Sequence, residues 1–328
     1  MKIVKFSTFN KDPRVEFYLK RLTPGSSGIW RDYQFIFDDS LDDCDYWVVF
    51  ETLPEPKSIR CHKANTVFLA GEGSSIRTYN RRFLRQFGHV ITCQRNLKHS
   101  SIHYKSPGHG WFPLKSYDEL VNKTQIGKDK LMSIVVSNKK STLGHRKRLE
   151  FCLKLKEVFG DKVDLFGRGF NEFEDKWEVL APYKYSVAIE NSIEDDWITE
   201  KIGDCFIAHT FPFYVGAGNL SDYYNSNSYE RIDLQDFRKS VDIISRVIYD
   251  PNHYSNHLDY ILESKYVFLN EHGMFPMLAK FLDGIKVEPT KATRFIRLQS
   301  EDAYRIFPGS TKVFRLLKKI AKTIMRKQ

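Results

Sequence analysis

Two blocks of alternating strand and helix patterns constrain the fold of this chain more than any other feature of its sequence. In each block, short β-branched or aromatic runs bounded by turn residues alternate with segments whose apolar residues recur at helical spacing. Because parallel strands are joined by crossover helices, each block predicts a parallel sheet covered by helices. The predicted strands are 2–9, 33–37, 45–51, 66–70 and 89–93 in the first block and 131–137, 163–166, 185–190 and 211–215 in the second. The pattern therefore predicts an α/β chain with two Rossmann-like domains that face each other across a cleft.

A polar segment at 115–130 separates the two blocks, and we predict a linker there. Helices are predicted at 78–87 in the first block, at 145–159 and 197–208 in the second, and at 240–249, 251–263 and 266–281 beyond it. We accordingly expect a first domain at 1–125, a second domain at 126–290 and a basic tail at 291–328.

The positive charge of the chain is concentrated near its C-terminus. The whole chain has a net charge of +10, but residues 291–328 alone contain eleven Lys or Arg against two acidic residues. A nucleic-acid-binding protein usually has basic charge spread over its binding face. This distribution therefore predicts that nucleic acid is not a partner.

Residues 311–328 have the pattern of a basic amphipathic helix. Seven Lys or Arg and no acidic residue surround apolar residues at spacings of three and four. A helix in the membrane interface uses both features, since the apolar stripe enters the lipid and the cations contact anionic headgroups. We therefore predict attachment to an anionic membrane surface; docking of the stripe on the protein itself and a nucleic-acid arm are the alternatives. The stripe consists of Val313, Leu316, Leu317, Ile320 and Ile324.

The remaining composition predicts an intracellular location. No apolar run approaches the 18 residues of a membrane-spanning helix, and the N-terminal residues lack the apolar stretch of a signal peptide. Five cysteines at wide spacings fit reduced thiols rather than a disulfide framework. Together with the tail, these features predict a cytoplasmic protein attached peripherally to the inner face of the cell membrane.

Sequence motifs for metals and resident cofactors are missing. The chain contains no P-loop, no complete GxGxxG and no His-Glu-x-x-His motif. Asp43-Cys44-Asp45 has the Asp-x-Asp pattern of some metal sites, but it precedes its hydrophobic strand instead of following it. We therefore predict neither a metal ion nor a cofactor.

The most informative segment is 183–216. A predicted buried strand ends there in the polar turn Glu190-Asn191-Ser192, and the next helix is expected to have Thr199, Glu200 and Lys201 in its first turn. Unpaired backbone N–H groups and the helix dipole favour an anion at that end of a helix, so a bound phosphate would explain a lysine there. The alternative is that Glu200 and Lys201 are solvated residues on the helix surface.

This segment resembles the sugar-nucleotide-binding signature of the family 10 glycosyltransferases, the α-1,3/4-fucosyltransferases. The matching residues are Tyr183-Lys184-Tyr185, Glu190-Asn191-Ser192, Trp197-Ile198-Thr199-Glu200-Lys201 and Phe211-Pro212 up to Gly216. Weaker similarities lie at Ser137-Asn138 with Arg146 and Arg148, at 163–168 and at 68–72. The similarity covers roughly residues 66–265 and is densest in the second predicted domain.

The resemblance implies a GT-B fold and an inverting transfer of fucose from GDP-fucose to a hydroxyl of a glycan acceptor, of the GlcNAc type with α-1,3/4 linkage. It implies that Glu72 is the general base and that Lys201, with Arg146 or Arg148, neutralises the diphosphate. Glu200 would bond ribose or sugar hydroxyls, and Asn191, Trp197 and Thr199 would complete the donor site. These cations would replace a metal, so none is expected. The tail would hold such an enzyme beside lipid-linked glycan acceptors.

Two alternatives remain at this point. Trp197 and the turn Ala217-Gly218-Asn219 depart from the family pattern, which leaves open a glycosyltransferase that uses another GDP- or UDP-sugar. The other alternative is a non-catalytic membrane- or nucleic-acid-binding protein that acts through the basic tail. The register of His145-Arg146-Lys147-Arg148 leaves the diphosphate ligand undecided between its two arginines.

Overall fold

The computed structural model describes residues 1–8, 12–38, 40–140, 143–285 and 295–304. The strands of the first 104 residues are β1 (Lys2–Ser7), β2 (Ile29–Trp30), β3 (Tyr33–Ile36), β4 (Tyr46–Phe50), β5 (Lys57–Arg60), β6 (Thr66–Leu69), β7 (His89–Thr92) and β8 (Ile102–Tyr104). All except β5 form one sheet in the order β2-β3-β1-β4-β6-β7-β8. The sheet is parallel apart from the antiparallel pair β2–β3.

A second parallel sheet follows. Its strands are β9 (Lys130–Val135), β10 (Val163–Phe166), β11 (Tyr183–Ile189), β12 (Phe211–Val215) and β13 (Glu230–Arg231), in the order β10-β9-β11-β12-β13. Tyr183–Ile189 is apolar along most of its length and almost fully buried, as expected for a strand covered on both faces. The predicted pair of parallel-sheet α/β domains is therefore confirmed.

Eight α-helices lie in the described parts of the chain. They are α1 (Pro13–Lys20), α2 (Arg81–Leu84), α3 (Tyr117–Asn122), α4 (Leu143–Phe159), α5 (Glu200–Ile207), α6 (Phe237–Tyr249), α7 (His253–Val267) and α8 (Met274–Asp283). The helix predicted at 78–87 is only one turn long. The helix predicted at 266–281 is interrupted by a π turn at Phe268–His272 and by Gly273, because the chain leaves helical geometry at Gly273.

The chain returns to the first domain after α7. Phe275 of α8 packs its ring 4.7 Å from Phe35 and 6.0 Å from Phe6, measured between ring centroids. The hydroxyl of Tyr33 donates to Asp283 Oδ1 over 2.7 Å. Farther on, β14 (Phe295–Leu298) pairs antiparallel with β5. The elements from α8 onward therefore pack on the first sheet, although they follow the second sheet in sequence.

Two other sequence predictions can be compared with the structure. All five cysteines are buried and free. In the described ranges, we find no helix with the length and apolar character needed to cross a bilayer. The predicted amphipathic helix at 311–328 lies outside the described residues.

Candidate active site

Two cavities meet between the domains at the first turn of α5. The inner cavity, of about 360 Å³, lies in the second domain against β9 and β11. The cleft cavity, of about 760 Å³, lies between the two domains. Phe112, Glu200 and Lys201 line both cavities. The cleft cavity is also lined by Glu72, Asn191, Trp197 and Thr199.

The start of α5 is determined by Glu190, a buried residue that directly follows β11 and was not among the predicted site residues. Its Oε1 accepts a hydrogen bond from the backbone N of Thr199 over 2.9 Å, and its Oε2 accepts one from the Thr199 hydroxyl over 2.7 Å. Thr199 is the N-cap of the helix. The helix consequently begins at Glu200, three residues later than predicted, and Thr199 precedes its first turn.

The ammonium group of Lys201 has three neighbours at this helix start. Its Nζ lies 3.2 Å from Glu190 Oε2, 3.1 Å from Glu200 Oε1 and 3.0 Å from Thr199 Oγ1. Burial alone would lower the pKa of Lys201, but the two carboxylates raise it above its usual value. Burial would likewise raise the pKa of Glu200, yet Lys201 and Lys176 lower it. Lys201 is therefore a permanent cation at a helix end that already favours anions.

The structure separates the two candidate arginines. Arg148 lines the inner cavity together with Glu200 and Lys201, and its Nε is buried without a hydrogen-bond partner in the described residues. Arg146 is exposed, and within the described residues its guanidinium donates only to the carbonyl of Lys140, over 3.3 Å. Both arginines lie on α4, but only Arg148 can reach a ligand in the inner cavity.

The opposite wall of the inner cavity requires glycine. Gly167 follows β10 with a φ of +123°, and a Cβ there would lie 2.2 Å from the carbonyl oxygen of Val136. The backbones that follow β9 and β10 therefore come closer together than any side chain would permit. This close approach shapes the cavity wall opposite α5.

Trp197 and Asn191 form part of the floor of the cleft cavity. The indole N–H of Trp197 donates to Asn191 Oδ1 over 2.9 Å, and the ring is almost fully buried. The imidazole of His109 packs edge-on against Trp197, with 5.3 Å between ring centroids. Burial lowers the pKa of His109 to about 4, and its Nε2 has no hydrogen-bond partner in the described part of the chain. His109 is thus a neutral ring at the cleft, which its sequence context did not indicate.

Glu72 lies on the first-domain side of the cleft cavity, just beyond β6. Its backbone N donates to the Tyr79 hydroxyl over 3.2 Å, and its carbonyl accepts from Gln94 Nε2 over 2.8 Å. Burial and the neighbouring charge of Glu51 raise the pKa of Glu72 to about 7. A carboxyl group with that pKa can take up a proton near neutral pH.

Glu51, which sequence reasoning missed, is fixed by a buried network. Its carboxylate accepts from the Tyr79 hydroxyl over 2.6 Å and from Arg77 Nη1 over 2.7 Å. Arg77 also donates through Nη2 to Glu301, over 2.6 Å. Glu301 comes from the C-terminal segment that returns to the first domain. The charge beside Glu72 therefore depends on residues far apart in sequence.

Polar contacts join the two domains around the cleft. The backbone N of Ser74 donates to Glu194 Oε1 over 2.7 Å, and the hydroxyls of Ser75 and Ser192 are 2.8 Å apart. Arg95 of the first domain pairs with the buried Asp196. Because these contacts surround the cavity, they hold Glu72 opposite Glu200 and Lys201.

The described residues contain no group of three or more His, Cys, Asp or Glu that could hold a metal ion. The Asp-x-Asp candidate lies away from both cavities. Its Asp45 accepts a hydrogen bond from the backbone N of Ile3 over 2.7 Å. That residue therefore has a local role at the start of β4.

Part of the chain is similar in sequence to known fucosyltransferases. An α-(1,3)-fucosyltransferase of Helicobacter pylori is 30% identical over 96 residues, which are 29% of this chain and 20% of that protein. A GDP-fucose protein O-fucosyltransferase 3 of Mus musculus is 32% identical over 92 residues, 27% of this chain and 19% of that protein. The matches thus span about a fifth of these relatives' lengths.

A solved structure shares the fold over nearly the whole chain. The crystal structure of an α1,3-fucosyltransferase with GDP superposes with a TM-score of 0.54 at 18% identity, covering 88% of this chain and 93% of that one. The GT-B fold is therefore confirmed.

The family assignment comes from a match to a family model. The model for glycosyltransferase family 10 (fucosyltransferase), C-terminal part, matches residues 125–289, just over half of the 328-residue chain. This range contains α5, Glu190 and Arg148. The chain belongs to glycosyltransferase family 10.

Proposed function

We propose that this protein transfers fucose from GDP-fucose to a hydroxyl group of an acceptor glycan by direct displacement, with inversion at the anomeric carbon. The observation that supports this most is the position of Glu200 and Lys201 on the wall shared by two cavities. The inner cavity is lined by cations of the second domain, among them Arg148 and Lys201. The cleft cavity is lined by Glu72, a carboxyl group with a raised pKa. A bound sugar at the shared wall would lie between a leaving group and a base.

The inner cavity is the proposed site of the GDP moiety. Lys201 and Arg148 would neutralise the diphosphate as the glycosidic bond breaks, and the arginine can bind two phosphate oxygens at once. Glu200 would accept hydrogen bonds from ribose or fucose hydroxyls. In this proposal the leaving group is stabilised by protein cations, and no metal ion is required.

Glu72 is the proposed general base. Its carboxylate would take the proton of the acceptor hydroxyl as that oxygen attacks the anomeric carbon. Asn191, Trp197 and Thr199 would hold the sugar from the opposite side, because they line the same cavity. The acceptor would lie over the first-domain wall, where the lining includes apolar side chains such as Tyr18, Phe50 and Met274.

The acceptor is proposed to be a GlcNAc-type glycan that receives an α-1,3 or α-1,4 linkage. The name of the Helicobacter pylori relative supports the linkage to position 3. The name of the mouse relative includes protein acceptors, so a peptide acceptor belongs in any assay.

A donor-by-acceptor assay tests the proposed function. We expect GDP release and product formation with GDP-fucose, both in EDTA and without it, and much slower release with GDP-mannose, UDP-glucose or UDP-GlcNAc. Product should form with GlcNAc-containing oligosaccharides rather than with folded protein domains. Preferred use of another nucleotide sugar, or complete loss of turnover in EDTA with recovery on adding Mn²⁺, would contradict the proposal.

Arg148→Ala and Arg146→Ala form a matched pair for the diphosphate site. Both changes remove one arginine from the same helix, but only Arg148 lines the inner cavity. We expect Arg148→Ala to weaken GDP binding about 10-fold or more, since a hydrogen bond to a charged group contributes about 1.5–3 kcal/mol. Arg146→Ala should bind GDP like the unmodified protein in isothermal titration calorimetry. The reverse order of the two affinities would place the diphosphate elsewhere.

We further propose that residues 311–328 attach the protein to the inner face of the cell membrane beside lipid-linked acceptors. The support is the sequence pattern of seven cations around an apolar stripe. We expect the full-length protein to co-sediment with anionic vesicles in a salt-sensitive manner, and a chain ending at Ser310 to stay in the supernatant. The shortened chain should still transfer sugar to a soluble acceptor. Equal sedimentation of both forms would contradict the role of the tail.

A further inference from the structure

A second concave surface lies at the N-terminal ends of three strands of the first sheet, whereas the active site lies at the C-terminal end of this sheet. Its volume is about 690 Å³. It is lined by segments that precede or begin three parallel strands: 62–64 before β6, 87–89 at the start of β7 and 98–100 before β8. Glu72 follows β6 at the other end of the same sheet. A ligand here would therefore leave the catalytic cleft open.

The lining of this surface, which we call the basic pocket, is strongly positive. Four exposed side chains with permanent charge, Lys63, Arg81, Arg85 and Lys98, surround it, together with three histidines. Among the described residues, no Asp or Glu belongs to the lining. Surface cations are ordinarily interspersed with acidic residues, because uncompensated like charges repel each other.

Within the described residues, none of these four cations forms an ion pair or a side-chain hydrogen bond. They differ in this respect from other cations of the first domain, such as Arg77 with its two carboxylate partners or Arg95 with Asp196. Lys63, Arg81, Arg85 and Lys98 can therefore contact an external anion without breaking an internal pair.

The walls of the basic pocket are held together by backbone contacts. A Cβ at Gly88 would lie 2.7 Å from the carbonyl oxygens of both Lys63 and Ala64, so these two walls touch directly. His62 Nδ1 accepts the backbone N–H of Ala64 over 3.2 Å and fixes the turn that presents Lys63. The arginines are on the short helix α2, which is anchored by the buried Phe83 and Leu84. The cations are thus presented by a preformed surface.

The C-terminal segment ends beside this same helix. The carbonyl of Tyr304, the last described residue, accepts from Asn80 Nδ2 over 2.9 Å, and its ring packs 6.3 Å from that of Phe83. Asn80 is the N-cap of α2 and directly precedes Arg81. The seven-cation sequence at 311–328 starts only seven residues after Tyr304. The basic pocket is therefore close to Tyr304, the last described residue before the cationic sequence.

We propose that the basic pocket binds the phosphate headgroups of anionic lipids and forms a second membrane contact, which adds to the attachment by the tail. Unpaired lysines and arginines match the charge of phosphodiester groups at a membrane surface. The proposal extends the membrane location proposed above, but it does not depend on the identity of the donor sugar. A contact through this face of the first domain would also fix the orientation of the enzyme on the bilayer.

The test uses the full-length protein and the double variant Arg81→Gln/Arg85→Gln. Both side chains are exposed, so the fold should be unaffected, and an unchanged melting temperature and GDP affinity would verify this. Co-sedimentation is measured with equimolar phosphatidylcholine–phosphatidylglycerol vesicles and with pure phosphatidylcholine vesicles. Because each cation near an anionic surface contributes about fivefold, we expect the variant to partition at least about 10-fold less onto the anionic vesicles. Neither protein should bind the neutral vesicles.

Two further full-length variants separate this contact from other effects. Arg238→Gln/Lys239→Gln removes the same charge from exposed positions of α6 and should sediment like the unmodified protein. Lys318→Gln/Lys319→Gln lowers the charge of the tail alone. Adding Arg81→Gln/Arg85→Gln to this variant should lower its vesicle binding by about the same factor as in the unmodified protein. Equal loss in the Arg238/Lys239 control would show only a net-charge effect and would overturn the proposal. Unchanged vesicle binding of the pocket variant would overturn it as well. If that variant also lost retention of DNA in a gel-shift assay, the basic pocket would instead be a nucleic-acid contact.

Discussion

Lys201→Ala is expected to lower the rate of fucose transfer by at least about 100-fold, the usual scale for losing a group that stabilises charge in the transition state. Lys201 is a half-buried cation at the N-terminus of α5, on the wall shared by both cavities. In the proposed mechanism its ammonium group faces the diphosphate as negative charge develops there. The measurement is initial-rate kinetics with GDP-fucose and a saturating soluble acceptor, together with GDP affinity by calorimetry.

The same substitution leaves Glu190 and Glu200 without their cation, so a loss of stability must be distinguished from a loss of catalysis. Removing one partner of a buried ion pair commonly costs about 3–5 kcal/mol. Lys265→Met is the control, because Lys265 is a more deeply buried lysine than Lys201. Its Nζ donates to the carbonyl of Lys123 over 2.7 Å, outside both cavities. We expect this control to melt earlier but to keep its transfer rate at low temperature. Transfer by Lys201→Ala at the rate of the control would remove Lys201 from the mechanism.

Glu72→Gln should abolish most transfer, by about 100- to 10,000-fold, while GDP affinity stays unchanged. The reason is that a base acts on the acceptor hydroxyl, and Glu72 lies on the first-domain wall, away from the proposed diphosphate site. Weakened GDP binding with intact turnover would assign Glu72 a structural role instead.

The pH dependence provides an independent measurement on the same residue. Since the base must be deprotonated, kcat/KM of the unmodified protein should rise with pH and level off above about 7, the pKa of Glu72. Glu51→Gln removes a neighbouring negative charge that raises this pKa, so the rising limb should move to lower pH. A profile that stays in place in Glu51→Gln would show that another group controls the rate.

Stability should respond in the opposite direction to activity. The pKa of Glu72 is raised on folding, so between its ordinary value and about 7 the folded state binds more protons than the unfolded state. This carboxyl group therefore makes the protein less stable as pH rises through that range. The glutamine of Glu72→Gln does not ionise, so it does not lower the stability as pH rises. The melting temperature of this variant at pH 8 should therefore equal or exceed that of the unmodified protein. An inactive variant with this stability would exclude unfolding as the cause.

Much of the structure of segment 183–216 could be predicted, because its elements are formed by residues that follow one another in the sequence. A strand, a polar turn and the start of a helix are local structures, and the residues from Glu190 to Lys201 lie within twelve positions of the chain. The motif therefore indicated the family and the helix end that we propose binds phosphate. It placed the first helical residue too early, since the start of α5 depends on the hydrogen bonds that Glu190 makes to Thr199.

The rest of the site was decided by contacts between distant parts of the chain. Arg146 and Arg148 have equivalent sequence contexts, and only the packing of α4 against the second sheet directs one of them into the inner cavity. The pKa of Glu72 depends on Glu51, whose partner Arg77 is held by Glu301, 224 residues farther along the chain.

The sequence alone thus determined the two-domain α/β architecture, the family and the segment proposed to bind phosphate. These follow from local periodicity and from motifs whose residues are close together in the chain. The tertiary structure alone decided which arginine reaches the site, what raises the pKa of the base, and where the basic pocket lies. The burial of a side chain and the charges beside it depend on its neighbours in the folded protein. Many of these neighbours are far away in the sequence, so they come together only when the chain folds.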